Sequence, residues 1–383
     1  AMKQEFSHKA LLLTSPSRAF GCIQRYIQGP GELNNIFEYG KKYGNKFHFI
    51  VDTGVFEMIK AKLEAIEDRQ ECEYSAESFF GECCMENVHA LADNVVKSGC
   101  NVVVGVGGGK VLDVVKLVAD EANVARIIVP TAASSDAPAA DWAALYDING
   151  ISLGGIPTKR CTELVLADSE IIVNAPARLF AAGIADALVT WFEAEANYKS
   201  FTPNYIGRGY VICRAGMALA RECYEILLRD GKKAYEAVKG KNLTAAVENV
   251  IEANTLLSAA GFMNAGCAGA HGVHNGISEI ETSQQHLHGE KVAFGLICEL
   301  VLENADAALF DKILAFLDSL DLPVTLDQLG IECTDENLEM IVEHTIYKNA
   351  LIHREPCVIT PEVLKNAIKE ANSIGRKFLE NKA

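Results

Sequence analysis

The sequence predicts an α/β domain built on a parallel sheet, followed by an all-helical domain. Short β-branched runs alternate with helical stretches in the first part of the chain, a pattern typical of an open parallel sheet with helices on both faces. Around Asn174-Ala-Pro176 this alternation gives way to successive helical segments. The 383 residues exceed the size, about 250–300 residues, at which single cores stop growing. We therefore divide the chain into residues 1–175 and 176–383.

The elements of the first domain follow from local pattern. Lys46–Val51 and Ala125–Pro130 are predicted strands, and Asn101–Val106 is the nearly continuous apolar run of a strand buried on both faces. Glu57–Ala65 is a predicted helix, and Lys110–Asp120 repeats its apolar residues at helical spacing. In such sheets, ligands bind beyond the carboxyl ends of the strands.

The second domain is predicted to be entirely helical. Asn174 is a predicted N-cap, and Pro176 suits the first helical turn. The helices predicted after it are Ala177–Asn197, Tyr205–Arg229, Leu243–Asn264, Gly289–Asn304 and Asp306–Leu320.

Composition excludes several classes of protein. The apolar share of 49% and the charged share of 22% are those of a globular chain. A net charge of -16 repels phosphate backbones, so no nucleic-acid partner is expected. No apolar run reaches the roughly 20 residues of a membrane-spanning helix, so no membrane partner is expected either. The chain start has no signal pattern and the twelve cysteines include no CxxC pair. These features predict a cytoplasmic protein with reduced, mostly buried thiols.

A glycine-rich turn, Gly105-Val-Gly107-Gly108-Gly109-Lys110, follows one predicted strand and opens a predicted helix. Glycines there let the backbone approach a pyrophosphate, and the helix N-terminus offers free N–H groups. The run matches neither the Walker A pattern nor GxGxxG, so a plain tight turn is the alternative. Asp52 ends an earlier strand, where it can accept hydrogen bonds from a ribose and favour NAD over NADP, or simply begin a turn.

Four histidines fall within eighteen residues: His271, His274, His286 and His288. The first two are three residues apart at a predicted helix start, so both can face one site. Clustered neutral imidazoles suit a divalent metal. A solvated histidine-rich loop is the alternative interpretation.

A carboxylate that would complete a metal site lies in the first long helix. Asp186 has apolar neighbours and shares one stripe of the helix with Thr190 and Glu193. A carboxylate on a buried face needs a partner, and a cation, a salt bridge or a capping contact would each serve.

These motifs occur in an order that resembles the iron-containing alcohol dehydrogenase superfamily, and within it the glycerol dehydrogenases. The resemblance covers nearly the whole chain. It rests on Asp52, GVGGGKVLD (105–113), PTAASSDAP (130–138), GIADALVTWFEA (183–194), GAHGVHNG (269–276) and HGEKVAFG (288–295). It implies a dehydroquinate synthase-like architecture, in which a dinucleotide-binding α/β domain precedes a helical domain and the metal and substrate lie in the cleft.

The resemblance also implies the metal ligands, Asp186, His271 and His288, with His274 as a neighbour of the site. Thr190 stands where iron-type members carry a further ligand histidine. Three protein ligands with an open position are the pattern of catalytic zinc. We therefore expect Zn²⁺, although the same ligand types suit Fe²⁺ or Mn²⁺.

By the same resemblance the cofactor is NAD, and Asp136 matches a residue that contacts a substrate hydroxyl. The expected cofactor-binding residues are Asp52, Gly107, Gly108, Gly109, Lys110, Asp113, Thr131, Ser134, Trp142 and Tyr146. The chain departs from glycerol dehydrogenases at Ala140 and Trp142, which stand where those proteins have a small polar residue and a leucine, with a charged Asp141 between them. This departure puts the substrate in doubt, and packing is an alternative role for Trp142.

The implied function is NAD-dependent oxidation of glycerol or a related vicinal diol to the hydroxyketone, by hydride transfer from a zinc-bound alkoxide. Asp136 would hold a second hydroxyl, and His274 would pass the released proton to solvent. Alternatives on the same fold are an sn-glycerol-1-phosphate dehydrogenase and a 2-hydroxy acid dehydrogenase. A dehydroquinate synthase-like lyase is less favoured. The family also implies a homo-oligomer, often an octamer.

Overall fold

The structure, a computed structural model, describes residues 17–207, 209–347 and 350–382. The prediction that the chain start carries no secretion signal falls on residues 1–16, outside the described residues. The strands are β1 Arg18–Ala19, β2 Tyr26–Gly29, β3 Lys46–Asp52, β4 Glu73–Phe79, β5 Val102–Gly107, β6 Ala125–Pro130, β7 Trp142–Tyr146, β8 Ser152–Pro157, β9 Leu164–Asp168 and β10 Val211–Ile212.

Helices make up most of the second half of the chain. The α-helices are α1 Ile36–Gly40, α2 Phe56–Glu64, α3 Met85–Ser98, α4 Gly109–Ala122, α5 Ser169–Val173, α6 Ala177–Lys199, α7 Arg214–Lys239, α8 Ala245–Glu252, α9 Ser258–Ala265, α10 Gly269–Ser278, α11 His288–Leu302, α12 Ala307–Asp318, α13 Asp335–Thr345 and α14 Pro361–Lys382. A π-helical turn, Ala253–Leu257, joins α8 to α9. Short 3-10 turns lie at Glu32–Asn35, Ala137–Ala139, Glu281–Ser283, Asp327–Leu329 and Leu351–Arg354.

Six parallel strands form the main sheet, in the order β2-β9-β6-β5-β3-β4. Every residue of β5 is buried, because a central parallel strand is covered on both faces. The predicted fold class, a parallel α/β region followed by a helical one, is confirmed. The strands and helices predicted between Lys46 and Pro130 lie within two residues of the observed ones. The antiparallel hairpin of β7 and β8 was not predicted.

The predicted helix Tyr205–Arg229 is wrong in its first part, because α7 begins only at Arg214. Tyr205 N–H instead donates to Met263 O, and β10 pairs in parallel with β1. Gly207 and Gly209 have φ values of 100° and 63°, a left-handed backbone that ends any helix. Tertiary pairing therefore overrides the local helical pattern.

The predicted N-cap role of Asn174 is also wrong. Asn174 follows the last residue of the short helix α5, and its Nδ2 donates to Glu170 O. The long helix α6 begins at Ala177, so Pro176 lies just before its first turn. The Asn174 side chain is therefore bonded to the end of α5 and does not cap the start of α6.

The chain divides into two compact units, and neither is continuous in sequence. The sheet unit comprises Cys22–Pro176 and Ala237–Ala259 and contains the six-stranded sheet. The helical unit comprises the described residues within Ala1–Gly21, Ala177–Glu236 and Ala260–Ala383. The two-domain division at residue 175 stays a prediction.

No helix among the described residues is long and apolar enough to cross a membrane. The twelve cysteines form no disulfide in the described residues. Five of them are buried and seven are partly exposed, so the expectation that most of the thiols are buried is wrong.

Candidate metal centre and cofactor-binding turn

Three side chains of the helical unit meet at one point. Asp186 lies in the middle of α6, His271 in the first turn of α10, and His288 at the start of α11. Asp186 Oδ1 lies 3.3 Å from His271 Nε2 and 3.1 Å from His288 Nε2. One ligand atom from each residue lies within 4.8 Å of the others. The structure therefore brings together the three predicted metal ligands.

Two glycines let α11 approach its neighbours closely enough to form this group. A Cβ on Gly289 would stand 1.9 Å from Ala182 O of α6, and one on Gly295 would stand 2.3 Å from Ala270 O of α10. Both contacts are with backbone, which cannot yield as a flexible side chain can. Because Gly289 follows His288 directly, this close packing fixes where the histidine enters the site.

The spacing of these atoms fits a small divalent cation. Nitrogen and oxygen ligands about 2.0–2.2 Å from tetrahedral zinc lie about 3.3 Å apart. The two distances from Asp186 Oδ1, 3.1 and 3.3 Å, agree with that spacing. One carboxylate and two imidazoles are also ligand types that zinc, iron and manganese accept.

The electrostatics of the group are those of a site that binds positive charge. Burial raises the pKa of Asp186, but His288 and His271 outweigh burial and hold that pKa far below its usual value. Burial lowers the pKa of His271, whereas Glu193 raises it, and the net pKa lies well above the ordinary value. A bound cation would replace the proton that His271 otherwise holds so tightly.

Glu193, which the sequence placed only on the stripe of Asp186, holds His271 by two contacts. Its Oε2 lies 2.7 Å from His271 Nδ1, and its Oε1 accepts the His271 backbone N–H at 2.9 Å. A carboxylate only accepts, so Nδ1 carries a ring proton and Nε2 is the nitrogen whose proton a cation would replace. The spacing of seven residues from Asp186 was the signal that could have identified Glu193. Cys267 lies in a second group with Glu193 and His271.

His274 contacts His288, one of the three predicted metal ligands. Its Nε2 lies 3.0 Å from His288 Nδ1, and its Nδ1 lies 3.1 Å from Asn275 Oδ1. Burial, aided by His288 and Lys291, lowers the pKa of His274 well below its ordinary value. A neutral His274 can accept the His288 Nδ1 proton and leave His288 Nε2 facing Asp186. Proton transfer by His274 stays a prediction.

His286, the remaining histidine of the cluster, lies apart from the metal ligands. Its Nδ1 faces Glu290 Oε2 at 3.4 Å. Glu290 also accepts from Leu287 N–H and pairs with Arg178, so this carboxylate holds the start of α11. The sequence cluster therefore divides into three histidines at the site and one beside it.

In the sheet unit, the glycine turn connects β5 to α4 at the carboxyl end of β3. A Cβ on Gly107 would lie 2.8 Å from Asp52 Cβ and 3.1 Å from Val111 Cβ, so close packing explains this glycine. A Cβ on Gly108 would meet nothing within 4 Å. Gly108 precedes the first residue of α4, Gly109, where the first N–H groups of the helix have no partner within the helix. The phosphate-binding role of this turn stays a prediction.

Two charged residues of this turn are already paired within the unit. Lys110 Nζ lies 2.5 Å from Glu82 Oε1. Asp113 is buried and uses both carboxylate oxygens, one for Lys116 Nζ at 2.8 Å and one for Ala144 N–H at 3.0 Å. These contacts give Asp113 a structural role, and its predicted contact with the cofactor stays a prediction.

The loop after β6 carries Thr131, Ser134 and Asp136 and is held at several points. Thr131 is buried, and its N–H donates to Gly107 O at 3.0 Å, which joins the loop to the glycine turn. Ser134 is partly exposed. Ser258 Oγ donates to Asp136 Oδ2 at 3.2 Å.

Asn254, in the π-helical turn, donates to Ala133 O of this loop at 2.9 Å. A π-helical turn is uncommon and occurs often at functional sites. No sequence signal had assigned Asn254 or Ser258 to the loop.

Comparison with known proteins identifies the family. Residues 24–169 match the family described as iron-containing alcohol dehydrogenase. A glycerol dehydrogenase of Thermotoga maritima is 37% identical over 353 residues, which are 92% of this chain and 96% of that protein. This chain belongs to the iron-containing alcohol dehydrogenase family.

Other members of this family are similar over almost their whole length. A glycolaldehyde reductase of Halobacterium salinarum is 36% identical, with 94% of this chain and 98% of that protein covered. The crystal structure of a glycerol dehydrogenase from Schizosaccharomyces pombe has a TM-score of 0.89 and 32% identity, covering 97% of this chain and 94% of that one. The family resemblance inferred from the sequence is confirmed.

In this member of the family, the residues that depart from the glycerol dehydrogenase pattern have partners within the sheet unit. Asp141 Oδ1 accepts Thr162 N–H at 3.2 Å and lies 3.8 Å from the buried guanidinium of Arg126, so its charge is neutralised within the sheet unit. The Trp142 ring covers Gly155, where a Cβ would stand 1.8 Å from Trp142 Nε1. Trp142 therefore has a packing contact in the β7–β8 hairpin, and its predicted contact with the cofactor stays a prediction.

The remaining family positions are buried or half-buried. Ala140 is buried beside the hairpin, and Tyr146 is half-buried with Lys110 Nζ 5.9 Å from its ring centre. Thr190 is buried, and its methyl group would lie 2.5 Å from a Cβ on Gly261. Position 190 is a threonine and adds no ligand histidine to the metal site.

Proposed function

We propose that this protein catalyses the NAD-dependent oxidation of glycerol or a related vicinal diol at a divalent cation held by Asp186, His271 and His288. One observation carries the proposal. Asp186 Oδ1 lies 3.3 Å from His271 Nε2 and 3.1 Å from His288 Nε2, close enough to share one cation, in a member of a family of alcohol dehydrogenases. We propose zinc as the cation because three protein ligands leave a position for substrate.

The proposed cofactor is NAD, which accepts the hydride. Support comes from the open space at Gly108, the free N-terminus of α4 and the carboxylate of Asp52 at the end of β3. A helix N-terminus favours a pyrophosphate, and a strand-end carboxylate favours a ribose without a 2′-phosphate. Thr131, Ser134 and Tyr146 are the further proposed contacts.

A divalent cation at the proposed site supplies Lewis acidity, which lowers the pKa of an alcohol. The residues of the chain prepare that chemistry. Glu193 fixes the ring of His271, and His274 accepts the Nδ1 proton of His288, so both Nε2 atoms are directed to the same point as Asp186 Oδ1. This ordering removes rotational freedom from the ligands before substrate binds.

Asp136 is the proposed contact for a second hydroxyl of the substrate. Ser258 Oγ and Asp136 Oδ2 are hydrogen-bonded, and the loop is held by Asn254, so the carboxylate is oriented. A carboxylate accepts a hydroxyl proton with a charge-assisted bond. This contact would favour diols over simple alcohols.

A second candidate function is the reduction of glycolaldehyde. The Halobacterium salinarum relative of that name is as similar to this chain as the glycerol dehydrogenases are. Glycolaldehyde has one carbonyl and one hydroxyl, so the same cation and the same Asp136 would serve it.

The predicted homo-octamer and cytoplasmic location stay predictions, and light scattering of the purified protein tests the octamer.

The test is turnover by metal-stripped protein re-loaded with zinc, ferrous or manganous ion. Substrates are glycerol, 1,2-propanediol, 2,3-butanediol, simple alcohols, 2-hydroxy acids and sn-glycerol 1-phosphate with NAD, and glycolaldehyde with NADH. We expect zinc-restored NADH formation with the free diols. Turnover of a hydroxy acid or phosphate ester without diol turnover would overturn the substrate proposal. Fast glycolaldehyde reduction without diol oxidation would favour the second candidate.

Two variants separate the residue roles in that assay. Asp186→Asn should lose bound zinc and activity together, since its carboxylate bridges the two histidines. Asp136→Ala should raise the KM for diols more than the KM for simple alcohols, because only diols use the second contact. Equal effects on both substrate classes would contradict the role of Asp136.

A further inference from the structure

Three glutamates form a separate cluster in the helical unit, around the N-terminus of α10. Glu299 lies on α11, Glu303 directly follows the last residue of that helix, and Glu355 follows the 3-10 turn Leu351–Arg354. One carboxylate oxygen from each residue lies within 4.8 Å of the others. Glu299 and Glu355 are 1% and 0% exposed. The cluster shares no residue with the group formed by Asp186 and the two histidines.

Each of the three carboxylates is held through one of its oxygens. Glu355 Oε1 accepts Gly269 N–H at 2.7 Å, and Glu299 Oε2 accepts Ala270 N–H at 3.0 Å. Both donors belong to the first turn of α10, where an N–H group has no partner within the helix. The third carboxylate, Glu303, binds Lys199 Nζ through Oε2 at 3.0 Å.

The other oxygen of each carboxylate is buried and has no hydrogen-bond partner within the described part of the chain. These atoms are Oε1 of Glu299, Oε1 of Glu303 and Oε2 of Glu355. A buried acceptor without a partner costs about 1–3 kcal/mol, and more when it is charged. The three carboxylates lie close together, so their negative charges also repel one another. The arrangement therefore calls for positive charge among them.

A proton and a metal cation are the two ways to supply that charge. Burial, reinforced by neighbouring carboxylates, raises the pKa values of Glu299 and Glu355 well above the ordinary value. One shared proton joins only two oxygens, however, and leaves the third without a partner. Against three carboxylates stand Lys199 and about half a charge from the helix N-terminus. The remaining charge is close to that which one divalent cation balances.

We propose that Glu299, Glu303 and Glu355 bind a hard divalent cation of the calcium type, with water in the remaining positions. Oxygens bound to Ca²⁺ at about 2.4 Å can lie up to about 4.8 Å apart, a span that matches the cluster. An all-oxygen site without imidazole or thiolate favours Ca²⁺, Mg²⁺ or Mn²⁺ over zinc. Such a cation joins α11 to the residues after Leu351–Arg354 at the start of α10.

Calcium binding by zinc-loaded protein tests the proposal. Zinc first occupies the Asp186 group, so any calcium bound by equilibrium dialysis goes elsewhere. We expect one Ca²⁺ per chain in the wild type and a rise in Tm on adding Ca²⁺. Glu299→Gln and Glu355→Gln should each weaken calcium binding by about tenfold or more, since each loses one anionic ligand.

Two further variants keep the test decisive. Glu303→Gln changes the partly exposed member of the cluster, so it provides the same readout if the buried replacements fail to fold. Glu343→Gln, an exposed residue of α13, is the matched control and should bind calcium like the wild type. The proposal is overturned if zinc-loaded wild type binds neither Ca²⁺, Mg²⁺ nor Mn²⁺, or if the cluster variants retain full calcium affinity. If Glu355→Gln binds calcium as the wild type does and has a higher Tm than the wild type, the cluster holds a shared proton and the calcium proposal is overturned.

Discussion

Glu193 shows how much of a metal site depends on a residue that binds no metal. Its two oxygens hold the ring and the backbone of His271. Glu193→Gln keeps the size of the side chain but removes its charge. Loss of such a partner weakens metal affinity by about 10–100-fold, and we expect a loss in that range.

Competition with a zinc chelator measures this loss, and exposed Glu222→Gln is the matched control. If Glu193→Gln holds zinc as tightly as Glu222→Gln does, Glu193 has no positioning role. Because the readout is zinc affinity, the result does not depend on which alcohol is the substrate.

Lys116 is a fully buried cation in the sheet unit. Its Nζ donates to Asp113 Oδ1 at 2.8 Å, to Ala137 O at 2.5 Å and to Trp142 O at 2.9 Å. Lys116→Met keeps the volume but leaves Asp113 as an unpaired buried charge, which costs about 3–5 kcal/mol. Urea unfolding should show that loss, whereas exposed Lys97→Met should change the free energy of unfolding by less than about 0.5 kcal/mol. Similar values for the two variants would contradict the role given to Lys116.

The residues of the site could be proposed from the sequence more readily than their contacts. Asp186 and the histidine cluster stand out by residue type and spacing, but only the family resemblance chose among the histidines. The pairing of Glu193 with His271 joins residues 78 positions apart, and nothing local encodes it. The pairing of Asp141 with the buried guanidinium of Arg126 also had no local signal in the sequence.

At the scale of elements, two glycines decide how closely α11 packs. Gly289→Ala would press a methyl group into Ala182 O, and α11 would have to move. Because His288 precedes this glycine, we expect loss of both thermal stability and zinc binding. Gly108→Ala is the control for stability, since its Cβ meets nothing within 4 Å. Calorimetry and zinc content measure the two effects, and a Gly289→Ala protein with normal zinc content would contradict the packing argument.

Elements with a strong local pattern were predictable, and those formed by distant pairing were not. β3, β5 and β6 and their helices follow from apolar runs and spacing. β10 exists only because β1 pairs with it, and the β7–β8 hairpin depends on Trp142 covering Gly155. The π-helical turn at Ala253–Leu257 also has no signal in a pattern of 3.6-residue period.

For the whole molecule, the proposed metal links function to stability. A ligand that binds only the folded state stabilises it by about 4 kcal/mol at a thousandfold excess over its Kd. Chelation should therefore lower the Tm, and added zinc should restore it. Asp186→Asn should show a lowered Tm that zinc does not raise. A wild-type Tm that is the same with and without zinc would contradict a tight site at Asp186.

The discontinuity of the two units limits how this chain can be cut or recombined. The chain passes between the units four times. A fragment that ends at Pro176 would lack Asn254 and Ser258, which hold the loop of Asp136. A chimera that exchanges the sheet unit must therefore import Ala237–Ala259 together with Cys22–Pro176. The hydrogen bonds that hold the loop of Asp136 join residues more than a hundred positions apart in the sequence. During folding, this loop is therefore held in place only after those distant residues meet.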